Sequence, residues 1–358
     1  MMMISWQKIA KTLSLCVFLI TLSLGLSAGL PAGNAITDGK AILRYALPID
    51  NKPVREMQGS LEDIAVQLRG KRWTQISNDV KKVEKIITEK TNDLLKSIPE
   101  NRKSEAEILI DQIKNEIVTI RESVENKNKD SVGIERNKTL DLVGNLEQLM
   151  VVKFPYQVPE KYSNLPQLKG RATIEMETEK GNITIVVDGY SAPVTAGNFV
   201  DLVQRGFYNG LPFTRAEESY VLQAGDPPGK EQGFIDPKTN KYRGIPLEVL
   251  VKGDKEPTYE ITLEDVGRYL DEPVLPFSSF GALALARPES DVNGGSSQFF
   301  FFLFEPELTP AGRNLLDGRY AVFGYTIEGQ KVLDKLTAGD KIISAKVVQG
   351  LENLVQPN

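Results

Sequence analysis

The sequence LPFTRAEESYVLQAGD occupies residues 211–226 and consists of two short apolar segments joined by an acidic turn. Side chains alternate between the two faces of a strand, which predicts Phe213 and Arg215 on one face and Thr214 on the other. An arginine among apolar neighbours is costly unless it is paired or used. Arg215 is therefore either a surface residue that pairs with Glu217 or a functional cation, and the surrounding sequence decides between these two interpretations.

The composition of the chain limits its class and its partners. The chain has 358 residues, which corresponds to two domains or one large one, and 41% of them are hydrophobic, which suffices for a full core. The formal net charge is −5. Because there is no basic excess, the composition argues against nucleic acid as a partner.

The residue types that are missing limit the chemistry. The sequence contains no histidine, and Cys16 is its only cysteine. This excludes Ser-His-Asp and Cys-His catalysis as well as zinc-finger and thiolate metal sites. We therefore predict neither a metal nor a cofactor. A Ser-Lys dyad or a carboxylate pair stays formally open, although the sequence has no motif for either.

The first 35 residues have the pattern of an export signal. Two lysines precede an apolar run from Leu13 to Leu30, and the small residues Gly33 and Ala35 follow it. We predict a Sec-type signal peptide over residues 1–35, cleaved after Ala35, and an exported, soluble mature protein. The alternative is an uncleaved anchor, because the apolar run nearly spans a bilayer.

Residues 36–160 are predicted to form an all-α helical bundle. Apolar residues recur every three or four positions, a pattern that buries one face of each helix. A Ser60-x-x-Asp63 capping signal opens the pattern, and Pro99 ends the next helix. Such a stripe can also form a zipper with a partner, but short helices separated by Pro, Asn and Gly favour an intramolecular core. The stripes are Ile76, Val80, Val83, Ile87, Leu94 and Ile98, then Ile110, Ile113, Ile117, Ile120 and Val124, then Leu142, Leu146 and Leu149.

A proline-rich linker over residues 161–170 leads to a strand-rich domain over residues 171–350, and residues 351–358 form a tail in this interpretation. From Arg171 onward apolar and polar residues alternate, and a Gly-Asn turn within this pattern predicts a hairpin. Four successive phenylalanines, Phe299 to Phe302, are typical of a strand buried on both sides or of a barrel wall. Many strands with few helices predict a closed antiparallel barrel.

Six short motifs in this domain resemble the cyclophilins, the peptidyl-prolyl cis-trans isomerases, and they occur in family order over nearly all of residues 171–350. They are APVTAGNFV (192–200), GFYNG with FTR (206–215), QAGD (223–226), SQFF (297–300), LDG (316–318) and VFG (322–324).

The resemblance implies the fold and the site residues. The fold class is α+β multidomain: an N-terminal all-α helical bundle, followed by a cyclophilin-like closed eight-stranded antiparallel β-barrel with two helices. The resemblance places the family's catalytic arginine at Arg215 and its glutamine partner at Gln223. The implied substrate-binding residues are Phe213, Tyr220, Val221, Ala286, Arg287, Gln298, Phe299, Phe300, Leu315, Leu316 and Tyr320.

Three positions depart from the family pattern. The histidine that usually precedes the catalytic arginine is Thr214, the position often held by a ligand-contacting tryptophan is Leu315, and the histidine at the pocket edge is Tyr320.

A signal sequence, a helical half and this barrel together resemble the large thylakoid-lumen cyclophilins of cyanobacteria and chloroplasts. That resemblance implies a role in the assembly or maintenance of photosystem II, in the thylakoid lumen or otherwise the periplasm. The implied partners are proline-containing loops of client proteins, among them lumenal loops of photosystem II subunits. It implies contact with a membrane only through such clients or through an uncleaved signal.

The residues suit this chemistry. An X-Pro bond isomerises over a barrier of roughly 20 kcal/mol, because amide resonance must be broken. A guanidinium that binds the pyramidal proline nitrogen stabilises the twisted state and not the planar ground state. No proton moves, so a protein without histidine can catalyse the step. The alternatives are a proline-peptide-binding assembly chaperone with little or no turnover, and a structural lumenal subunit that needs only the bundle.

We also expect the bundle to dock on the barrel and partly restrict its groove.

Overall fold

The computed structural model describes residues 36–230, 232–304 and 314–357. The predicted signal peptide and its cleavage site lie outside these residues. From Ile36 onward, the helical and strand-rich parts belong to one unit. Within the described ranges, no helix combines the length and the apolar content that crossing a membrane requires.

Between Ile36 and the first strand, the described chain contains six α-helices. The bounds are α1 Gly39–Ala46, α2 Lys52–Arg69, α3 Trp73–Glu89, α4 Thr91–Leu95, α5 Lys103–Glu125 and α6 Lys129–Leu149. Helix α2 packs against α3 and α6, and α5 packs against α3 and α6, which closes a ring of four helices.

The predicted bundle is confirmed by the burial of its apolar stripes. The stripe residues of α3 and α5 are all in one hydrophobic cluster, together with Leu94 and Ile98. On α6, Leu146 is fully buried, while Leu142 and Leu149 are partly buried against the same cluster. Burial of these faces against one another stabilises helices that would be marginal alone.

Two predicted helix boundaries are wrong. The first long helix begins at Lys52 and not near Ser60, because Asn51 accepts a hydrogen bond from Val54 N at 3.1 Å and Pro53 occupies the first turn. The hydroxyl of Ser60 lies inside the helix and donates to Glu56 O. The helix predicted to continue to Pro99 is interrupted at Lys90, which separates α3 from α4.

The strand-rich half contains an eight-stranded antiparallel sheet, as predicted. The strands are β2 Arg171–Thr178, β3 Gly181–Asp188, β4 Phe213–Glu217, β5 Val221–Ala224, β10 Ala282–Leu285, β11 Phe299–Phe302, β12 Val322–Glu328 and β13 Ile342–Gln349. Their order in the sheet is β13-β2-β3-β12-β10-β11-β5-β4. The two ends of the sheet meet where Pro212 bridges Lys341 and where Phe213 N donates to Asp340 O at 2.8 Å.

Short elements complete this half of the molecule. Helices α7 Pro193–Gln204 and α8 Gln330–Leu333 accompany the sheet. Residues in the predicted tail form β14 Leu354–Val355, which pairs with β1 Gln167–Leu168 in the predicted linker. Two further hairpins lie in the loops: β6 Ile235–Asp236 with β7 Lys241–Tyr242, and β8 Glu248–Val249 with β9 Thr258–Tyr259.

The two faces of the sheet carry separate cores, which the four phenylalanines of β11 show. Phe299 and Phe301 point into the barrel, where they join the cluster that includes α7. Phe300 and Phe302 point outward into a second cluster, which contains Ile42 and Leu43 of α1. The strand is therefore buried on both sides, as its unbroken apolar run predicted.

Helix α1 links the bundle to the outer face of the barrel. Its apolar residues pack on the barrel as just described, while Lys40 pairs with Asp141 of α6 at 3.1 Å. Arg44 pairs with Glu62 of α2 at 3.0 Å, and Arg171 of β2 donates to the backbone carbonyl of Leu43. The bundle thus docks on the barrel, as expected from the sequence.

Candidate functional site

A groove in the outer barrel wall contains a cavity of about 270 Å³. All of its lining residues belong to the barrel half. No bundle residue among those described lines the cavity, which contradicts our expectation that the bundle restricts the groove. The lining residues are Arg215, Tyr220, Val221, Gln223, Gln232, Tyr242, Ala286, Arg287, Pro288, Gly294, Ser296, Gln298, Phe300, Leu316 and Tyr320.

A β-bulge at Thr214 places Arg215 on the outer face. Phe213 pairs with Ala224 and Arg215 pairs with Gln223, so the register shifts by one residue between them. The extra residue puts Phe213 and Arg215 on opposite faces. The prediction that both side chains share one face is therefore wrong: Phe213 is buried inside the barrel and Arg215 lines the cavity.

The Arg215 guanidinium is held by Glu217. Its Nε donates to Glu217 Oε1 at 2.7 Å, and its Nη2 lies 2.6 Å from the same oxygen. Both side chains are about half exposed, at 50% and 49%. The ion pair that the simpler interpretation of Arg215 predicted is thus present, and Arg215 nevertheless lines the cavity.

Gln223 takes part in a different network from the one that the resemblance implies. Its Nε2 donates to Gln298 Oε1 at 2.7 Å. Gln298 Nε2 in turn donates to Asp226 Oδ1 at 3.1 Å and to Gln232 O at 2.8 Å. These bonds fix the amide side chains of Gln223 and Gln298, which both line the cavity.

Aromatic and apolar groups form the rest of the wall. The ring of Phe300 meets the ring of Tyr320 edge to face at 5.5 Å. The Arg287 guanidinium lies 4.8 Å from the centre of the Tyr320 ring and donates to Arg319 O. Together with Ala286 and Leu316, the rings of Phe300 and Tyr320 form an apolar surface in the same cavity that Arg215 lines.

Three of the predicted substrate-binding residues do not line the cavity. Phe213 and Phe299 are in the core of the barrel, because alternation along β11 and the bulge in β4 turn them inward. Leu315 is 88% exposed and lies outside the lining. The other predicted residues are brought together at the cavity.

Sequence reasoning missed five lining residues: Gln232, Tyr242, Pro288, Gly294 and Ser296. Gly294 and Ser296 lie in the NGGSSQ stretch that precedes β11, so their proximity to Gln298 was a usable signal. Tyr242 belongs to a two-residue strand, and its hydroxyl donates to Gly294 O at 2.8 Å. Partial burial raises the pKa of this hydroxyl above its ordinary value. No local pattern marks a residue of that kind.

Gly225 allows the close approach that this wall requires. Its φ is +92°, and a Cβ at this position would lie 2.4 Å from Ser297 O. Ser297 Oγ donates to Gly225 O at 2.8 Å. A residue with a side chain would force apart the turn after β5 and the start of β11, which carries Gln298.

Taken together, the site offers a cation, amide groups and an apolar wall, with no histidine or cysteine nucleophile. It suits binding of a peptide and noncovalent stabilisation of a developing lone pair.

Family comparisons agree with this description. A family model for cyclophilin-type peptidyl-prolyl cis-trans isomerases matches residues 173–351. The chain therefore belongs to the cyclophilin-type peptidyl-prolyl cis-trans isomerases.

Individual relatives extend the similarity to the helical half. A second family model, described as the PsbQ-like domain of CYP38-like peptidyl-prolyl cis-trans isomerases, matches residues 38–151. A Synechocystis protein that is named as a thylakoid lumen peptidyl-prolyl cis-trans isomerase is 59% identical over 333 residues, which cover 93% of this chain and 88% of the relative. The chloroplastic isomerase CYP38 of Arabidopsis thaliana is 44% identical over 338 residues, 91% of this chain and 77% of the relative.

Among solved structures, a Cryptosporidium parvum cyclophilin crystallised with the dipeptide Ala-Pro matches with a TM-score of 0.35 and 19% identity. The match covers 49% of this chain and 99% of that chain.

Proposed function

We propose that this isomerase acts on proline-containing loops of client proteins and that Arg215 stabilises the twisted X-Pro amide. The observation that carries the proposal is that Arg215 lines the same cavity as Phe300, Leu316 and Tyr320. The apolar wall, which includes Phe300, Leu316 and Tyr320, would hold the proline ring. The guanidinium would then donate to the proline nitrogen, whose lone pair develops only as the amide twists.

The same proposal places the protein in the thylakoid lumen, where it would serve the assembly or maintenance of photosystem II. Two comparisons support this: the names of the relatives locate them in the thylakoid lumen or the chloroplast, and the helical half matches a PsbQ-like family model. The clients would be proteins with proline-containing lumenal loops, among them photosystem II subunits. The predicted signal peptide, cleaved after Ala35, would deliver the mature chain.

The competing function is that of an assembly chaperone that binds proline peptides with little turnover. Both functions require a cavity that binds a proline peptide. Only catalysis also requires the reacting groups to be placed to within about 1 Å, because the isomerisation rate depends on that geometry. They differ in whether bound peptide exchanges between its cis and trans forms.

Exchange spectroscopy by NMR on a proline peptide tests the proposal with residues 36–358. Catalysis predicts cross-peaks between cis and trans peptide resonances at a substoichiometric amount of protein, on a timescale far shorter than the tens of seconds of the uncatalysed step. Line broadening of the peptide without exchange cross-peaks would show binding alone and would favour the chaperone function.

A further inference from the structure

The ion pair between Arg215 and Glu217 has a geometry that bears on catalysis. Two donors of Arg215, Nε and Nη2, converge on the single oxygen Oε1 of Glu217 at 2.7 and 2.6 Å. A guanidinium carries five N–H groups in a rigid planar fork. The pair uses one edge of that fork. Among residues 36–230, 232–304 and 314–357, no hydrogen-bond partner is found for Nη1, so this group is free to bind a ligand.

The two side chains lie on one face because they are two positions apart on β4, beyond the bulge. Arg215 pairs with Gln223 across the ladder and Glu217 pairs with Val221. Gln223, the other neighbour that could orient the guanidinium, donates to Gln298 instead. Glu217 is therefore the side chain that fixes the direction of Arg215 in the described structure.

Two opposite consequences of such a pair are conceivable, and the cavity distinguishes them. If Glu217 drew Arg215 away from the substrate, Arg215 would leave the cavity lining while it was paired. Instead, Arg215 lines the cavity in its paired state, and Glu217 lies outside the lining. The carboxylate thus holds the guanidinium while Arg215 still lines the cavity.

We propose that Glu217 is a positioning residue that holds the Arg215 guanidinium in place for the twisted amide, an inference that rests on the proposed function. An arginine that is half exposed samples many rotamers when it has no partner, and that freedom must be lost in the transition state. A carboxylate that accepts two N–H groups removes most of the freedom in advance. The support needs an accepting oxygen at the right place more than it needs a full negative charge.

The experiment measures kcat and KM of the full chain, residues 36–358, for one proline peptide. Glu217→Ala is expected to lower kcat about tenfold, equivalent to about 1.4 kcal/mol, with KM changed less than twofold. Glu217→Gln keeps an accepting oxygen and is expected to recover at least half of the wild-type kcat. The adjacent Glu218→Ala removes the same charge from an exposed residue for which no ion pair is found among the described residues, and should leave both constants unchanged.

Coupling to Arg215 is the decisive readout, because a purely structural role would not show it. In the Arg215→Ala background, Glu217→Ala should cause no further loss. Three results would overturn the proposal: a kcat of Glu217→Ala at or above the wild-type value, a loss of kcat in Glu217→Gln as large as in Glu217→Ala, or a full further loss of kcat when Glu217→Ala is added to Arg215→Ala.

The Arg215→Ala variant separates failure of this proposal from failure of the proposed function. If Arg215→Ala leaves the rate unchanged, the proposed function fails as well. If Arg215→Ala abolishes the rate and Glu217→Ala leaves the wild-type rate unaltered, only the positioning role fails.

Discussion

Arg215 and Gln223 lie opposite each other on neighbouring strands, at the point where the ladder resumes after the bulge at Thr214. The bulge gives Arg215 its access to the groove while Phe213, two residues earlier, remains in the core of the barrel. A single extra residue in β4 thus separates a core side chain from a functional one.

Gly225→Ala should destabilise the protein and disturb the cavity wall. A positive φ costs a residue with a side chain about 1–2 kcal/mol, and the added Cβ would lie 2.4 Å from Ser297 O. Relief of that contact should cost a further ~1–3 kcal/mol. The free energy of unfolding, measured by chemical denaturation, checks the sum.

Gly210→Ala is the matched control for this substitution. Gly210 also has a positive φ, of +80°, but a Cβ there would meet no atom within 4 Å. It should show the backbone cost alone. Equal destabilisation by the two variants would mean that the close approach to Ser297 has no energetic consequence.

Leu43→Ala tests the docking of α1 on the barrel. Leu43 is 5% exposed and belongs to the same cluster as Phe300 and Phe302. Removing a buried leucine side chain should lower the free energy of unfolding by about 2–5 kcal/mol. The control is Val66→Ala on α2, where the side chain is 57% exposed, with an expected change within about 0.5 kcal/mol. A Leu43→Ala effect as small as that of the control would refute the packing of α1.

Glu147→Gln should stabilise the protein more at pH 8 than at pH 5. Burial raises the pKa of Glu147 to about 7 from an ordinary 4.5, and the effect of burial exceeds the opposing effect of Arg55, 3.1 Å away. Between pH 4.5 and pH 7, the Glu147 carboxyl of the folded state therefore keeps a proton that the unfolded state has lost. Stability contributed by this proton falls as the pH rises through the same window. Glutamine cannot lose this proton, so the substitution should spare the protein that loss, which is up to about 3 kcal/mol in the free energy of unfolding.

The measurement is the difference in unfolding free energy between variant and wild type, followed from pH 5 to pH 8. Glu107→Gln, at an exposed position of α5, serves as the control and should give a flat difference. A flat difference for Glu147→Gln as well would show that this carboxyl is ionised throughout the range in the folded protein.

The fold was largely predictable because the buried residues recur along the sequence with the periods of a helix or a strand. The stripes of α3 and α5 and the unbroken run of Phe299 to Phe302 required only the helical and strand periods. The predicted start of α2 is wrong because Ser60 matches a capping signal, whereas the residue that caps the helix is Asn51.

The candidate site was predictable where a residue stands in a motif, and not where backbone geometry or a distant loop decides. The bulge at Thr214 has no marker in the sequence, since threonine is ordinary in a strand, and strict alternation therefore misplaced Phe213. Tyr242 reaches the cavity through a loop far from the motifs. The ion pair of Arg215 with Glu217 was one of two interpretations of the sequence, and the side-chain directions that favour Glu217 over Gln223 are not fixed by spacing alone.

The central claim is that Arg215 stabilises the twisted amide, and the isomerase rate of Arg215→Ala tests it most directly. Loss of one charged donor to a transition state costs about 10²–10³ in rate, and kcat/KM should fall by that factor while the free energy of unfolding stays within about 0.5 kcal/mol of wild type, because the side chain is half exposed. Arg69→Ala, an exposed arginine at the end of α2, should have no effect on the rate. An Arg215→Ala protein that is folded and isomerises the peptide as fast as wild type would contradict the account.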